Sequence, residues 1–172
     1  MNVRRPSKTT GGLTLIEALV YVFLVALLVV TTINMLMVLT RAYANFRLGR
    51  TVNQSAKVTL ERMVHEIRSA GSVDLVQSQL GTSPGRLVLK DAAGAETAEF
   101  LWQDGTILLE ENGNGVFAST TAPQVVADNV IYRLLSTPVS QALRVELTLS
   151  AARGDLIKTA DVYASAILRN SY

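Results

Sequence analysis

Leu13-Thr14-Leu15-Ile16-Glu17 opens the stretch that decides the fold, and Ala18 to Thr40 completes it with 23 consecutive residues that carry no charge. As a helix rising ~1.5 Å per residue, the uncharged run is ~35 Å long, enough to cross a hydrocarbon core of roughly 30 Å. In front of it stand Arg4, Arg5 and Lys8, and then the joint Gly11-Gly12. Glu17 is the anomaly. An acid at the centre of a spanning helix costs about 2.5–3.5 kcal/mol on an insertion scale, less near the end, and a carboxylate in lipid needs a cation that the run itself does not supply.

Beyond the run the helical pattern continues. Tyr43, Phe46, Ala56, Leu60, Met63, Val64 and Ile67 recur mostly at three- and four-residue steps and are expected on one apolar face. Arg47, Arg50, Lys57, Glu61, Arg62, Glu66 and Arg68 take much of the remainder. Gly49 is a weak point, about 1 kcal/mol poorer than Ala, and marks a bend or the exit from lipid. Ala70-Gly71, with Arg68 in the last turn, ends the helix. A continuous helix from Thr14 to Ala70 would measure ~85 Å.

From Ser72 the period changes to two. Strands are expected at Val73–Leu80, Arg86–Lys90, Glu96–Gln103, Ile107–Glu111, Asn129–Leu135, Ala142–Ser150 and about Ile157–Leu168. Asp104-Gly105 is a strong hairpin signal, and Ala151 to Gly154 supplies the last turn. Leu87 and Leu89, then Ala98, Phe100 and Trp102, then Val130, Tyr132 and Leu134, then Leu143, Val145, Leu147 and Leu149 are the inward positions. The fold class is α+β: a long helix whose second half covers one face of an antiparallel sheet. The divisions are 1–12 as a basic leader, 13–40 as a transmembrane helix, 41–71 as its amphipathic continuation, and 72–172 as the sheet domain.

Gly12-Leu13-Thr14-Leu15-Ile16-Glu17 resembles the class III signal of type IV pilins and pseudopilins. The resemblance implies cleavage by a prepilin peptidase between Gly12 and Leu13, N-methylation of the new Leu13 amine, and an assembly role for Glu17. In that family the acid pairs with the terminal amine of a neighbouring subunit inside a helical filament. The implied partners are the peptidase, other pilin or pseudopilin subunits, an inner-membrane assembly platform and the bilayer. The implied location is the inner membrane as a single-pass precursor, N-terminus inside and C-terminus outside, and then an extracytoplasmic filament. Leu60 to Met63, His65 to Ala70 and Ala166 to Asn170 further resemble minor pilins and J-type pseudopilins of type II secretion. The chain departs from many major pilins in having no proline between Pro6 and Pro84, so any melting on assembly would begin at Thr31, Thr32 and Asn34. It also lacks the cysteines that clamp a C-terminal loop in some of them.

Other readings compete for the same stretch. A secretory signal would have an apolar region of about 7–15 residues, shorter than this one, although Ala42-Tyr43-Ala44 fits its cleavage pattern. A twin-arginine signal at Arg4-Arg5 is opposed by Pro6 and by the strong hydrophobicity that follows. A single-span sensor or binding module is the main alternative; it explains the apolar run but neither Gly11-Gly12 nor Glu17. Basic residues do not orient the span, because Arg41, Arg47 and Arg50 on one side balance Arg4, Arg5 and Lys8 on the other.

Composition argues against several classes. Without the leader, 13 basic face 14 acidic side chains, so no strongly basic nucleic-acid surface is expected. The absence of cysteine removes disulfides, thiolate metal sites and a lipidated cysteine. His65, the single histidine, is followed by Glu66, but Ser69 stands where a second metal-binding histidine would be, so a solvated helix face near Glu61 is expected. No serine elbow, dinucleotide fingerprint or phosphate loop is present, so no enzyme and no cofactor are expected. Glu110, Asn112, Asn114 and Gly115 resemble the start of a calcium loop, but Thr121 occupies the position of its bidentate glutamate; a hairpin turn is expected.

Overall fold

The computed structural model describes residues 14–136 and 141–169. Helix α1 runs from Leu15 to Ser69, 55 residues, and is capped by Thr14, whose Oγ1 accepts a long hydrogen bond of 3.4 Å from the Glu17 amide. The chain divides into two compact units, one ending at Tyr43 and the other beginning at Ala44.

In the first unit α1 is apolar on every side. Its most hydrophobic 18-residue window has a mean hydropathy of 2.7, and none of it is buried. Polar groups within it look after themselves. Thr31 donates to the carbonyls of Leu27 and Leu28, Thr32 to that of Leu28, and Thr40 to that of Leu36. Such back-bonding hides the hydroxyls from an apolar surrounding. The helix continues unbroken through Thr31, Thr32 and Asn34.

In the second unit the same helix has a covered face made by Leu48, Val52, Ser55, Ala56, Thr59, Met63 and Ile67. The lower part of the expected stripe is therefore corrected: Tyr43 (70% exposed) and Phe46 (73%) lie off that face, while Ala56, Met63 and Ile67 are on it and Leu60 and Val64 flank it. Two polar members of the true stripe are buried because loop groups far along the chain meet them. Thr59 Oγ1 donates to the Thr120 carbonyl at 2.8 Å, and Ser55 Oγ accepts the Ala122 amide at 3.1 Å. Gly49 sits inside the unbroken helix. The helix stops where expected, though not through a left-handed glycine. A Cβ on Gly71 would lie 2.8 Å from the backbone at Asp91 and Ala92, and the Gly71 amide donates to the Lys90 carbonyl. Gly71 is there for close approach of two backbones.

The strands form two antiparallel sheets where the sequence suggested one. The five-stranded sheet has the order β1 (Ser72–Val73), β2 (Arg86–Lys90), β3 (Glu96–Gln103), β4 (Thr106–Glu111) and β5 (Phe117–Ser119). The three-stranded sheet has the order β6 (Val126–Ser136), β7 (Gln141–Arg153) and β8 (Leu156–Ile167). The β3–β4 turn is Asp104-Gly105 with φ of 50° and 76°, the positive pair that suits a twisted two-residue hairpin. The two sheets are stitched by the Trp102 indole donating to the Ala127 carbonyl at 2.7 Å, the Ala127 amide to the Gly105 carbonyl at 2.6 Å, and the Gly81 amide to the Tyr132 carbonyl at 2.8 Å.

The expected strand Val73–Leu80 shrinks to two residues. Asp74 Oδ1 accepts the amides of Val76 and Gln77, which turns the backbone away, and only Gln79 returns to bridge Arg86. This is the local competition that short acidic side chains offer to a sheet ladder. Among the expected inward positions of the other strands, Leu87, Leu89, Phe100, Val130, Leu143, Val145 and Leu149 are fully buried and join Met63 and Ile67 in one core, while Trp102 and Leu134 are only partly buried against it. Each such side chain removed from water stabilises by about 1.5–3 kcal/mol before chain entropy is counted. Past β1 the loop still meets the edge of β2: the Asp74 amide donates to the Val88 carbonyl at 3.0 Å, and the Val88 amide donates to Ser78 Oγ at 2.9 Å.

Candidate assembly helix and the chemistry of the sheet domain

Gly12 and Leu13, the residues expected to be cut, lie outside the described residues. Next to them, Thr14-Leu15-Ile16-Glu17 has the form of a capping box, with Thr14 at the N-cap and Glu17 at the third helical position. The signal is carried by the sequence itself, as Thr-x-x-Glu directly before an apolar run. It gives Glu17 a local role: a carboxylate in the first turn is favoured by the helix dipole.

Glu17 is exposed, as are Leu15, Ile16, Leu19 and Val20 around it. It is the only acid between Thr14 and Glu61, and the first cation along the helix is Arg41. The carboxylate thus projects from an uncovered apolar surface with no partner of opposite sign on its own segment. Chemically it offers one thing: strong acceptance of hydrogen bonds from an ammonium or another charged donor.

Several ionisable groups of the sheet domain are held in structural pairs. Arg62 reaches from α1 to Glu111 on β4 and also meets Glu66 at 3.1 Å. Arg86 Nε donates to Glu99 at 2.6 Å, which holds the guanidinium above its ordinary range. Lys90 Nζ lies 2.7 Å from Asp74 Oδ2. That ammonium, together with the Val76 amide, lowers the Asp74 carboxyl below its ordinary value, and Asp74 in turn raises Lys90. Burial pushes the Tyr132 phenol far up.

His65 is exposed, as expected, on a shallow groove with Lys57, Glu61 and Arg68. Glu61 is paired with Lys57 at 3.7 Å. Glu110, the first residue of the calcium-like stretch, turns back to accept the Gly115 amide, and Asn112-Gly113, both at positive φ, make the β4–β5 turn. Among the described residues no three His, Asp or Glu side chains gather as metal ligands. No family profile, curated protein or solved structure matches the chain.

Proposed function

We propose that this chain is a structural subunit, a minor type IV pilin or pseudopilin, of a pilus or type II secretion-like filament. The precursor sits in the inner membrane with its C-terminal domain outside, a prepilin peptidase cuts after Gly12, and Leu13 becomes the methylated N-terminus. Assembly then brings Glu17 of one subunit to the Leu13 amine of another, along with the assembly platform and neighbouring subunits. The observation that carries this reading is Glu17 itself. It is the single carboxylate on the uncovered apolar stretch of α1 that ends at Tyr43, it stands in the first turn, and it follows Gly12-Leu13. A buried pair of this kind satisfies both charges and fixes the axial register of one helix against the next; removing one partner costs about 3–5 kcal/mol. The sheet domain carries no catalytic role in this reading.

Intact-mass measurement of the purified chain is the first test. A mature form beginning at methylated Leu13 is expected, and Gly12→Val is expected to leave the precursor uncut. Retention of residues 1–12 in a host that possesses the peptidase would instead leave a membrane-anchored sensor or binding module. For the pairing, Glu17→Ala is expected to be cut normally but to enter filaments at a hundredth of the wild-type level or less, read by immunoblot of sheared filaments. Wild-type incorporation of Glu17→Ala would remove the pairing from the proposal.

A further inference from the structure

From Ala18 to Leu60 the chain contains no acid, and the cations in that interval are Arg41, Arg47, Arg50 and Lys57. A basic segment directly after an apolar span faces the headgroups of whichever leaflet it emerges from. Only six residues separate Thr40 from Arg47, about 10 Å of helix, the scale of a headgroup layer.

Arg47 does not stand on a plain helix surface. It lines a cavity of about 530 Å³ with Leu48, Thr51, Gln124, Ala152 and Arg153. Three separate segments build it: α1, the loop before β6, and the end of β7. Both arginines are exposed, and neither forms an ion pair among the described residues, whereas Arg62, Arg86, Arg133 and Arg144 all do. Thr51 is already engaged, donating to the Arg47 carbonyl at 3.1 Å, so the donors left to a ligand are two guanidinium groups and the exposed Gln124 amide. Two planar guanidinium forks and an amide around a small polar cavity match the oxygens of a phosphate. Leu48 and Ala152 supply an apolar wall suited to the glycerol carbons.

We propose that the cavity lined by Arg47, Gln124 and Arg153 binds the phosphate headgroup of an anionic phospholipid. The lipid is preferred over a free phosphate because the same helix carries the uncovered apolar run only a few residues earlier. The proposal needs α1 to sit in lipid but needs neither cleavage after Gly12 nor a filament. A failure of one therefore leaves the other standing.

The test uses the full chain in nanodiscs of phosphatidylcholine with or without phosphatidylglycerol, with amide hydrogen exchange read at the β7–β8 turn and around Gln124. Phosphatidylglycerol is expected to slow exchange at both places. With about 1 kcal/mol contributed per basic residue at an anionic surface, Arg153→Gln should weaken the phosphatidylglycerol dependence about fivefold. Arg50→Gln removes the same charge from a residue outside the cavity and should leave the protection of the turn in place. Equal protection in the two kinds of nanodisc would overturn the site. So would an equal loss in Arg50→Gln, which would mean diffuse attraction without a cavity. Full protection by soluble glycerol phosphate in phosphatidylcholine nanodiscs would overturn the lipid as ligand.

Discussion

The two stretches of α1 have the same backbone and opposite fates. Up to Tyr43 its side chains are mostly apolar on all sides and none is covered; from Ala44 to Ser69 a narrow row, Leu48 to Ile67, is buried and much of the rest is charged or polar. A helix covered on one side needs a stripe, whereas a helix surrounded by lipid or by other helices needs apolarity all round. Length alone does not separate these cases. The distribution of apolar residues around the axis does: the second stretch packs into the fold's core, and the first is long and apolar enough to cross a membrane.

Substitution gives the sharpest way to break that contrast. Phe100→Ala, at a fully buried position of the core that α1 covers, is expected to destabilise the sheet domain by about 3–5 kcal/mol. Leu28→Ala in the uncovered stretch should leave the same unfolding transition unmoved. Denaturant titration of the full chain in detergent, followed by Trp102 fluorescence, compares the two; an equal effect would show that the first stretch also holds the domain together.

A smaller effect tests the polar part of the covered row. Thr59→Val keeps the shape but leaves the Thr120 carbonyl without its buried donor, and a loss of about 1–3 kcal/mol is expected in the same titration. At Gly49 the sign reverses. A Cβ there meets nothing within 4 Å, so Gly49→Ala is expected to stabilise the helix by up to about 1 kcal/mol, seen as a higher denaturation midpoint.

The mildest change is confined to acid. The Asp74 carboxyl is lowered by Lys90 and by the Val76 amide, so its contribution to stability is complete above the ordinary carboxylate range and disappears as pH falls through its lowered folded-state value. Asp74→Asn should therefore flatten the acid limb of the stability profile, measured by thermal melts across pH, while losing some stability near neutrality.

Most of the architecture was legible because periodicity reports burial. The alternation in Leu143 to Leu149 and in Ala98 to Trp102 reads directly as an inward face. The lower stripe of α1 was misread because Tyr43 and Phe46 look like core residues. The true row uses Ser55 and Thr59, whose partners, Ala122 and Thr120, lie more than sixty positions away in sequence. Tertiary hydrogen bonds of that span leave no local trace. The short β1 fails for the opposite reason: one side chain, Asp74, captures two nearby amides and ends a strand that β propensity favours. The division into two sheets depends on contacts such as Trp102 to Ala127, which no alternation encodes. For the candidate site, Glu17 was visible as a charge out of place. Its part in the capping box was equally visible in Thr14 and went unused.

The cap at Thr14 has a consequence for how the molecule tolerates being shortened. The hydroxyl that begins α1 belongs to Thr14, so the turn around Glu17 carries its own cap. A chain cut after Gly12 would keep that hydroxyl, and with it the bond that starts the coil's first turn.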